Sequence, residues 1–499
     1  MRAQSQCHSR ALVTWRSALL LILIPIPIAS AVGCGSDSAD APGDDGSVDV
    51  APPGCDLSVD PGQSTPCIDD KVAIFVAPSS ANGNDSNPGT RAQPVATLTR
   101  ALEKAAASKP RVYVCKGDYT DNVNVTASRG IFGGFSCTDW SVNAAANPVT
   151  VAPSAGVPLT VHANDVTIAD IAFNAPPGSA ATTTSSIAAI VENALRIVLS
   201  RLTLTASDAI NGADGQGPPD ALARGVDGNN ADAGTGAPAR VPTPACPPGS
   251  GTTQGGAGGS NGGQGTNGDP FGVYDGGPPG TGQKSGAGGK GNVSCGNDGL
   301  GHDGADAPSS DPGAGAAKIG SIHDGKWAPQ DGTAGPVGRV GQGGGGGGGG
   351  TNAGGGGGGA PGGCGGIGGS PGKGGGASIA LLSIGSDIRL VGGTLTAKKP
   401  GDGGKGMLGQ KGQLGGGGGD RGNSLACVGG AGGAGGNGGA GGGGAGGVSA
   451  GILFSGPQPK TQDAPTITAV SKGGAAGIGG IAATNDGVPG QAGPTISVP

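Results

Sequence analysis

Aromatic side chains make up only 2% of this 499-residue chain, and charged ones 13%. So few rings exclude several large aromatic cores and give little material for a sugar-stacking groove. The apolar run from Ala18 to Ile28 is short and interrupted by Pro25 and Pro27, which excludes a stable membrane-spanning helix there. Lysine and arginine total 29 against 35 acids, with no basic cluster, which argues against nucleic acid as a partner. Four histidines are present, and no CxxC or His pair stands at zinc spacing, so neither metal nor cofactor is expected.

Glycine and cysteine are what the chain does have. Glycine numbers 115 and proline 39, far above the usual share for the pair, roughly 12%. A modest core must therefore sit in a few segments, with long Gly-rich stretches between them. Ten cysteines occur. Cys7 lies within a basic-then-apolar leader, and Cys34 closes the run Ser30-Ala31-Val32-Gly33-Cys34. That run resembles the bacterial lipobox, in which the cysteine is lipidated and becomes the new N-terminus. Ala31 stands where the pattern more often has leucine. The resemblance implies a signal over residues 1–33 and a membrane anchor at Cys34. Gly35 follows where an Asp would resemble an inner-membrane retention signal, so the outer membrane is the expected location.

The remaining cysteines, Cys55, Cys67, Cys115, Cys137, Cys246, Cys295, Cys364 and Cys427, are even in number and read as disulfides in an exported chain. Sequence does not fix their connectivity. Nearest-neighbour pairing, Cys55–Cys67, Cys115–Cys137, Cys246–Cys295 and Cys364–Cys427, is the expectation.

Residues 34–70 are rich in Asp, Ser, Gly and Pro and read as a flexible tether. Order is expected from Lys71. Val72 to Val76 has strand character, and Asn82 to Thr90 is turn-rich. After Pro94, Leu98, Ala101, Leu102 and Ala105 share one helical face. Val112-Tyr113-Val114 and Gly117-Asp118-Tyr119 follow. This order resembles the opening of right-handed parallel β-helix proteins of the pectin-lyase-like superfamily, in which a strand and a short amphipathic helix cap the coil. Ile131 to Trp140 also resembles Gly-rich surface lipoproteins of Gram-negative bacteria that share this cap.

An internal repeat supports the solenoid. Ser186 to Ile190, Leu195 to Leu199 and Leu202 to Ala206 recur as Ser378 to Leu382, Asp387 to Leu390 and Thr394 to Ala397. They recur again as Ser449 to Phe454 and Thr466 to Val470. A single coil cannot bury its apolar face, so separated copies should stack. The expected architecture is all-β: a short right-handed parallel β-helix with an N-terminal capping helix and long Gly-rich insertions. Its parts are first coils with the helical cap over 71–210, an insertion over 211–376, a coil over 377–400, a second insertion over 401–447, and a last coil with Gly-rich tail over 448–499. All insertions should leave from one corner, after each Leu-Thr-Ala-like strand.

Ordering glycine costs more backbone entropy than ordering any other residue, which favours flexible surface loops. The alternative is packed, left-handed extended helices with three residues per turn, paired laterally through small residues.

No catalytic constellation is legible. His162, His302 and His323 fall where surface positions are the default, and a serine-type triad needs a rigidly held base. In the superfamily that the chain resembles, polysaccharide-cleaving members use grouped carboxylates with basic residues or calcium. Asp165, Asp170, Arg196 and Arg389 are therefore the candidate polysaccharide contacts, with Arg196 and Arg389 expected at matching positions of two copies. Turn and surface roles are the plainer reading of the same four. The function expected is a lipid-anchored envelope protein, structural or adhesive, contacting polysaccharide or extracellular matrix. The alternative is a lyase or glycoside hydrolase acting on acidic polysaccharide.

Overall fold

Short runs with alternating apolar residues wind into a coil whose inward side chains meet along one axis. The computed structural model describes residues 51–217, 220–272, 284–296, 298–352 and 354–499; the expected signal, Cys34 and the first part of the tether lie outside them. The chain begins its coil with β1 (Ala73–Val76) and α1 (Leu98–Lys104). Three turns follow: β2 (Arg111–Cys115), β3 (Gly117–Tyr119) and β4 (Val123–Val125); β5 (Gly130–Phe135), β6 (Val149–Val151) and β7 (Leu159–Val161); β8 (Thr167–Ala169), β9 (Ala172–Asn174) and β10 (Ser186–Glu192). The next turn has β11 (Ile197–Ser200) and β12 (Thr203–Thr205), then the first insertion with its hairpin β13 (Gly320–His323) and β14 (Lys326–Pro329), then β15 (Ser378–Ile384). β16 (Ile388–Val391), β17 (Thr394–Thr396) and β18 (Ser449–Ser455) follow, and β19 (Lys460–Gln462), β20 (Thr466–Thr468) and β21 (Ala492–Ser497) come last.

Equivalent strands stack in parallel into three sheets. The first is β1-β2-β5-β8-β11-β16-β19, the second β3-β6-β9-β12-β17-β20 and the third β4-β7-β10-β15-β18-β21. This is a parallel β-helix. The repeat copies pair in register across the insertions, with Ser186 beside Ser378 and Ser378 beside Ser449. Leu204 aligns with Leu395, and Leu395 with Ile467. All three Gly-rich segments leave after second-sheet strands, as the repeat predicts. The interior holds Val112, Ile131, Ile168, Leu199 and Leu390 from the first sheet with Val151, Phe173, Leu204, Leu159 and Leu381 from the others. Each such burial stabilises by roughly 1.5–3 kcal/mol.

The N-terminal end is closed by α1. Thr97 caps it through a side chain that accepts from the Arg100 N–H, and Leu98 and Ala101 are buried. Asp85 anchors the preceding turn by accepting from the Ala96 and Thr97 N–H groups, both at 2.9 Å. The first sheet also has an apolar outer face here, built from Phe75, Tyr113, Phe132, Phe135 and Trp140. Residues 51–70 fold over that face, so the described part of the expected tether is packed rather than free. Arg111 Nη2 donates to the Leu57 carbonyl at 2.8 Å, and the Tyr113 hydroxyl donates to the Cys67 carbonyl at 2.8 Å.

The Gly-rich segments form an ordered bundle, which overturns the expectation of flexible loops. Gly343 to Gly350 runs through its centre. Gly343, Gly346 and Gly349 donate to Asp269, Thr266 and Gly263; Gly344 and Gly347 to Ala360 and Gly357; Gly345 and Gly348 to His302 and Gly299. Its carbonyls accept from Gly256 and Gly259, from Gly289 and Asn292, and from Gly430 and Cys427. Six neighbouring segments therefore surround one strand, all bonded at 2.8–3.1 Å. Each neighbour is met every third residue, the repeat of a polyproline II-type helix. Lateral hydrogen bonds and close backbone packing offset the entropy that made loops the default.

The disulfides follow this packing. Cys55–Cys67 and Cys115–Cys137 pair as expected. The other two do not: Cys246 joins Cys364 and Cys295 joins Cys427, with Cα separations of 5.1 and 5.3 Å. Chain neighbours are not lattice neighbours in the bundle, so the segment carrying Cys295 lies against the second insertion instead of against Cys246.

Candidate functional site

The four candidate contacts are spread along the first sheet beyond β5, at its two corners and on its outer face. Asp165 enters β8 and Arg196 enters β11, both with positive φ, 56° and 57°. Stacked coils bring them together: Arg196 Nη2 lies 2.6 Å from Asp165 Oδ2. The guanidinium holds the Asp165 carboxyl below the usual carboxylate range. Asp387 continues the column, and Lys460, in register with Arg389 two positions further along, reaches it with Nζ 3.3 Å from Oδ1. Exposed pairs of this kind contribute little stability, but they leave a rail of alternating charge along one corner.

Asp170 stands at the far end of β8, on the opposite corner. Arg201 clamps it in a fork, Nε to Oδ1 at 2.8 Å and Nη2 to Oδ2 at 2.7 Å. The same Nη2 reaches Asp60 Oδ2 at 2.8 Å, tying the N-terminal segment to the coil. The Asp170 side chain is only 13% exposed, so little of it is left for a ligand. Donating to Asp170 and then to Asp60 pushes the Arg201 guanidinium further up. Arg201 was missed in the sequence. The usable signal was spacing: Asp165–Arg196 and Asp170–Arg201 are both 31 residues apart, one turn of the coil.

Arg389 does not match Arg196. It pairs in register with Val198 on one side and Lys460 on the other, while Arg196 precedes the Ile197–Ile388 pair and so corresponds to Asp387. Equating the two arginines from sequence placed them two positions out of register. Arg389 points outward from β16, with Nη1 3.5 Å from Gln462 Oε1. The face thus has one outward cation without an acid, Arg389, and a second, Lys460, paired with Asp387, while Asp165 and Asp170 are held by arginines. Carboxylates occupied in this way are poor general acids and poor nucleophiles.

The histidines do not assemble into a base. His162 Nδ1 lies 3.5 Å from Glu192 and His323 Nδ1 2.9 Å from Asp324. Among the described residues no group of three His, Cys, Asp or Glu side chains could hold a metal ion.

On the bundle, acids and amides have a structural task. Asp208, Asn211 and Asp214 accept from the N–H groups of Lys399, Asp402 and Lys405. Asp227 and Asn230 do the same for Gly417 and Asp420, and Asp303 and Asp306 for Ala431 and Ala434. Spaced at three, these side chains cap backbone donors that the outermost strands would otherwise expose, much as polar side chains blunt the edge of a sheet.

Comparison with known proteins bears on the cap and the first turn of the coil. No curated protein and no solved structure matches the chain. A family model described as a protein of unknown function, DUF1565, matches residues 81–126, which carry α1 and β2 to β4. That family is associated with β-helix proteins, in keeping with the stacked parallel sheets.

Proposed function

We propose that this is a lipid-anchored cell-envelope protein, structural or adhesive, which holds a rigid Gly-rich bundle away from the membrane on a β-helix. The anchor in this reading is Cys34 and the location the outer surface of the outer membrane. The observation that carries the proposal is the bundle itself: every third backbone N–H of Gly343 to Gly350 is committed to the same neighbouring strand. A body built to present an ordered surface gains from such rigidity, whereas a spacer does not need it. The engaged state of Asp165 and Asp170 supports a binding role over a cleaving one.

Residues 35–499, incubated with a panel of acidic and neutral polysaccharides with and without calcium, should yield no new chain ends. Selective retention on one polymer is the expected result, weakened by Arg389→Ala with Lys460→Ala. New chain ends would sink the display reading in favour of the lyase or hydrolase alternative. Resistance of the chain to protease on intact cells would reject surface exposure.

A further inference from the structure

Among the described residues, the bundle contains a position that is filled for only half its length. Residues 401–420 and 429–447 run antiparallel, with Gly435, Gly438, Gly441, Gly444 and Gly447 donating to Gln413, Gln410, Met407, Gly404 and Gly401. Over the seam lies the tail strand. Gly403 and Gly406 donate to its Ala475 and Ile478 carbonyls at 2.9 and 2.8 Å. In return Gly474, Gly477 and Gly480 donate to the Gly447, Gly444 and Gly441 carbonyls at 2.9–3.0 Å. The tail then turns back, pinned by Asn485 Oδ1 on the Ile481 N–H and Asp486 Oδ1 on the Gly479 N–H.

Past this turn the ladder continues without an occupant. Gly409, Gly412, Gly415 and Gly418 extend the donor row of Gly403 and Gly406, and the carbonyls of Gly438, Gly435 and Gly432 extend the acceptor row. Among the described residues only the Gly412 N–H has a partner, Asn437 Oδ1 at 3.0 Å. Elsewhere such edges carry Asp and Asn caps; this stretch has one cap for four donors. Its rim is also unusual. Asp402 and Lys405 border the tail beside Ala476 and Ile478. The same row continues as Leu408 and Leu414, which at 62% and 64% are the most exposed large apolar side chains among the described residues.

We propose that this half-filled position is a docking groove for an extended Gly-rich strand of another protein. The filled half specifies the occupant. It runs parallel to 401–420, accepts from that segment and donates to 429–447. It has glycine every third residue, because a Cβ at Gly474 or Gly477 would fall on the carbonyl oxygen of Gly401 or Gly404. Small or aliphatic residues stand between, as Ala475 and Ile478 do. At about 3.1 Å per residue the open stretch spans roughly 28 Å, or some ten residues. The central strand and the six segments around it are already bonded within the bundle, and the described residues hold no spare strand of this kind, so the occupant is taken to come from a different protein. The inference rests on the ladder alone and not on surface display, so either can fail without the other.

The probe is a fluorescent peptide copying residues 471–481, titrated against the lipid-free chain and followed by anisotropy. Saturable binding is expected. It should weaken at least about tenfold when alanine replaces the glycines copied from Gly474, Gly477 and Gly480. Leu408→Asp with Leu414→Asp should weaken it similarly while leaving the melting temperature unchanged, and Asn437→Gly should tighten it by freeing Gly412. Absence of saturable binding, or equal binding of the alanine peptide or by the double variant, would overturn the proposal. So would self-association of the chain that the double variant abolishes, since a second copy would then be the occupant.

Discussion

Gly346 donates to Thr266 and accepts from Gly289, and a Cβ placed on it would land on the Ala257 carbonyl oxygen. At such sites glycine is required by close approach of backbones, and flexibility is not the reason for it. Gly346→Ala should therefore destabilise by about 3 kcal/mol, the scale of a severe overpacking change, read as a lower urea midpoint. The arginines divide by burial in the same way. Arg201→Ala strands the nearly buried Asp170 and should cost about 1 kcal/mol after allowance for its half-exposed partner. Arg196→Ala, in the exposed column, should leave the midpoint where it is. A large loss at Arg196 would mean that the charge rail stabilises the coil.

Among the elements, the third sheet is apolar on both faces over its later strands. Its inner face joins the coil interior, and its outer face presents Ile187, Ile190, Ile379, Leu382 and Leu453. The hairpin β13–β14 covers that face with Trp327, whose Nε1 has no partner among the described residues. This explains why an otherwise polar Gly-rich insertion carries a strand pair and one of three tryptophans. Trp327→Ala should cost about 3 kcal/mol and raise binding of a dye that reports exposed apolar surface. An unchanged dye signal would show that the hairpin does not shield the sheet. The first sheet uses the same device at its other end, where residues 51–70 cover Phe75, Tyr113 and Phe132.

Across the whole molecule, two kinds of order meet at one corner of the coil. The β-helix is held by side-chain burial along its axis. The bundle is held by backbone hydrogen bonds and by two disulfides that join segments 118 and 132 residues apart. Losing the cross-links should therefore act on the bundle first. Cys295→Ser with Cys427→Ser should cost about 2–4 kcal/mol and open the Gly-rich segments to limited proteolysis while fragments of the coil survive. Simultaneous loss of both parts would mean that they unfold as one cooperative unit.

Sequence alone determined the coil. Apolar alternation in Ser186 to Ala206 and its two later copies is a local property, and it specified the strands, their stacking and the corner from which the insertions leave. The Leu98–Ala101 face likewise placed the capping helix. Only the tertiary structure decided the rest. Repeating glycine carries almost no register information, because any such segment can pair with any other at several offsets. Which strands surround Gly343 to Gly350, which cysteines meet, and where the bundle leaves an edge open depend on how segments far apart in sequence pack together. The Asp165–Arg196 and Asp170–Arg201 pairs sit between these cases: their 31-residue spacing was written in the sequence, but only the pitch of the folded coil gave it meaning.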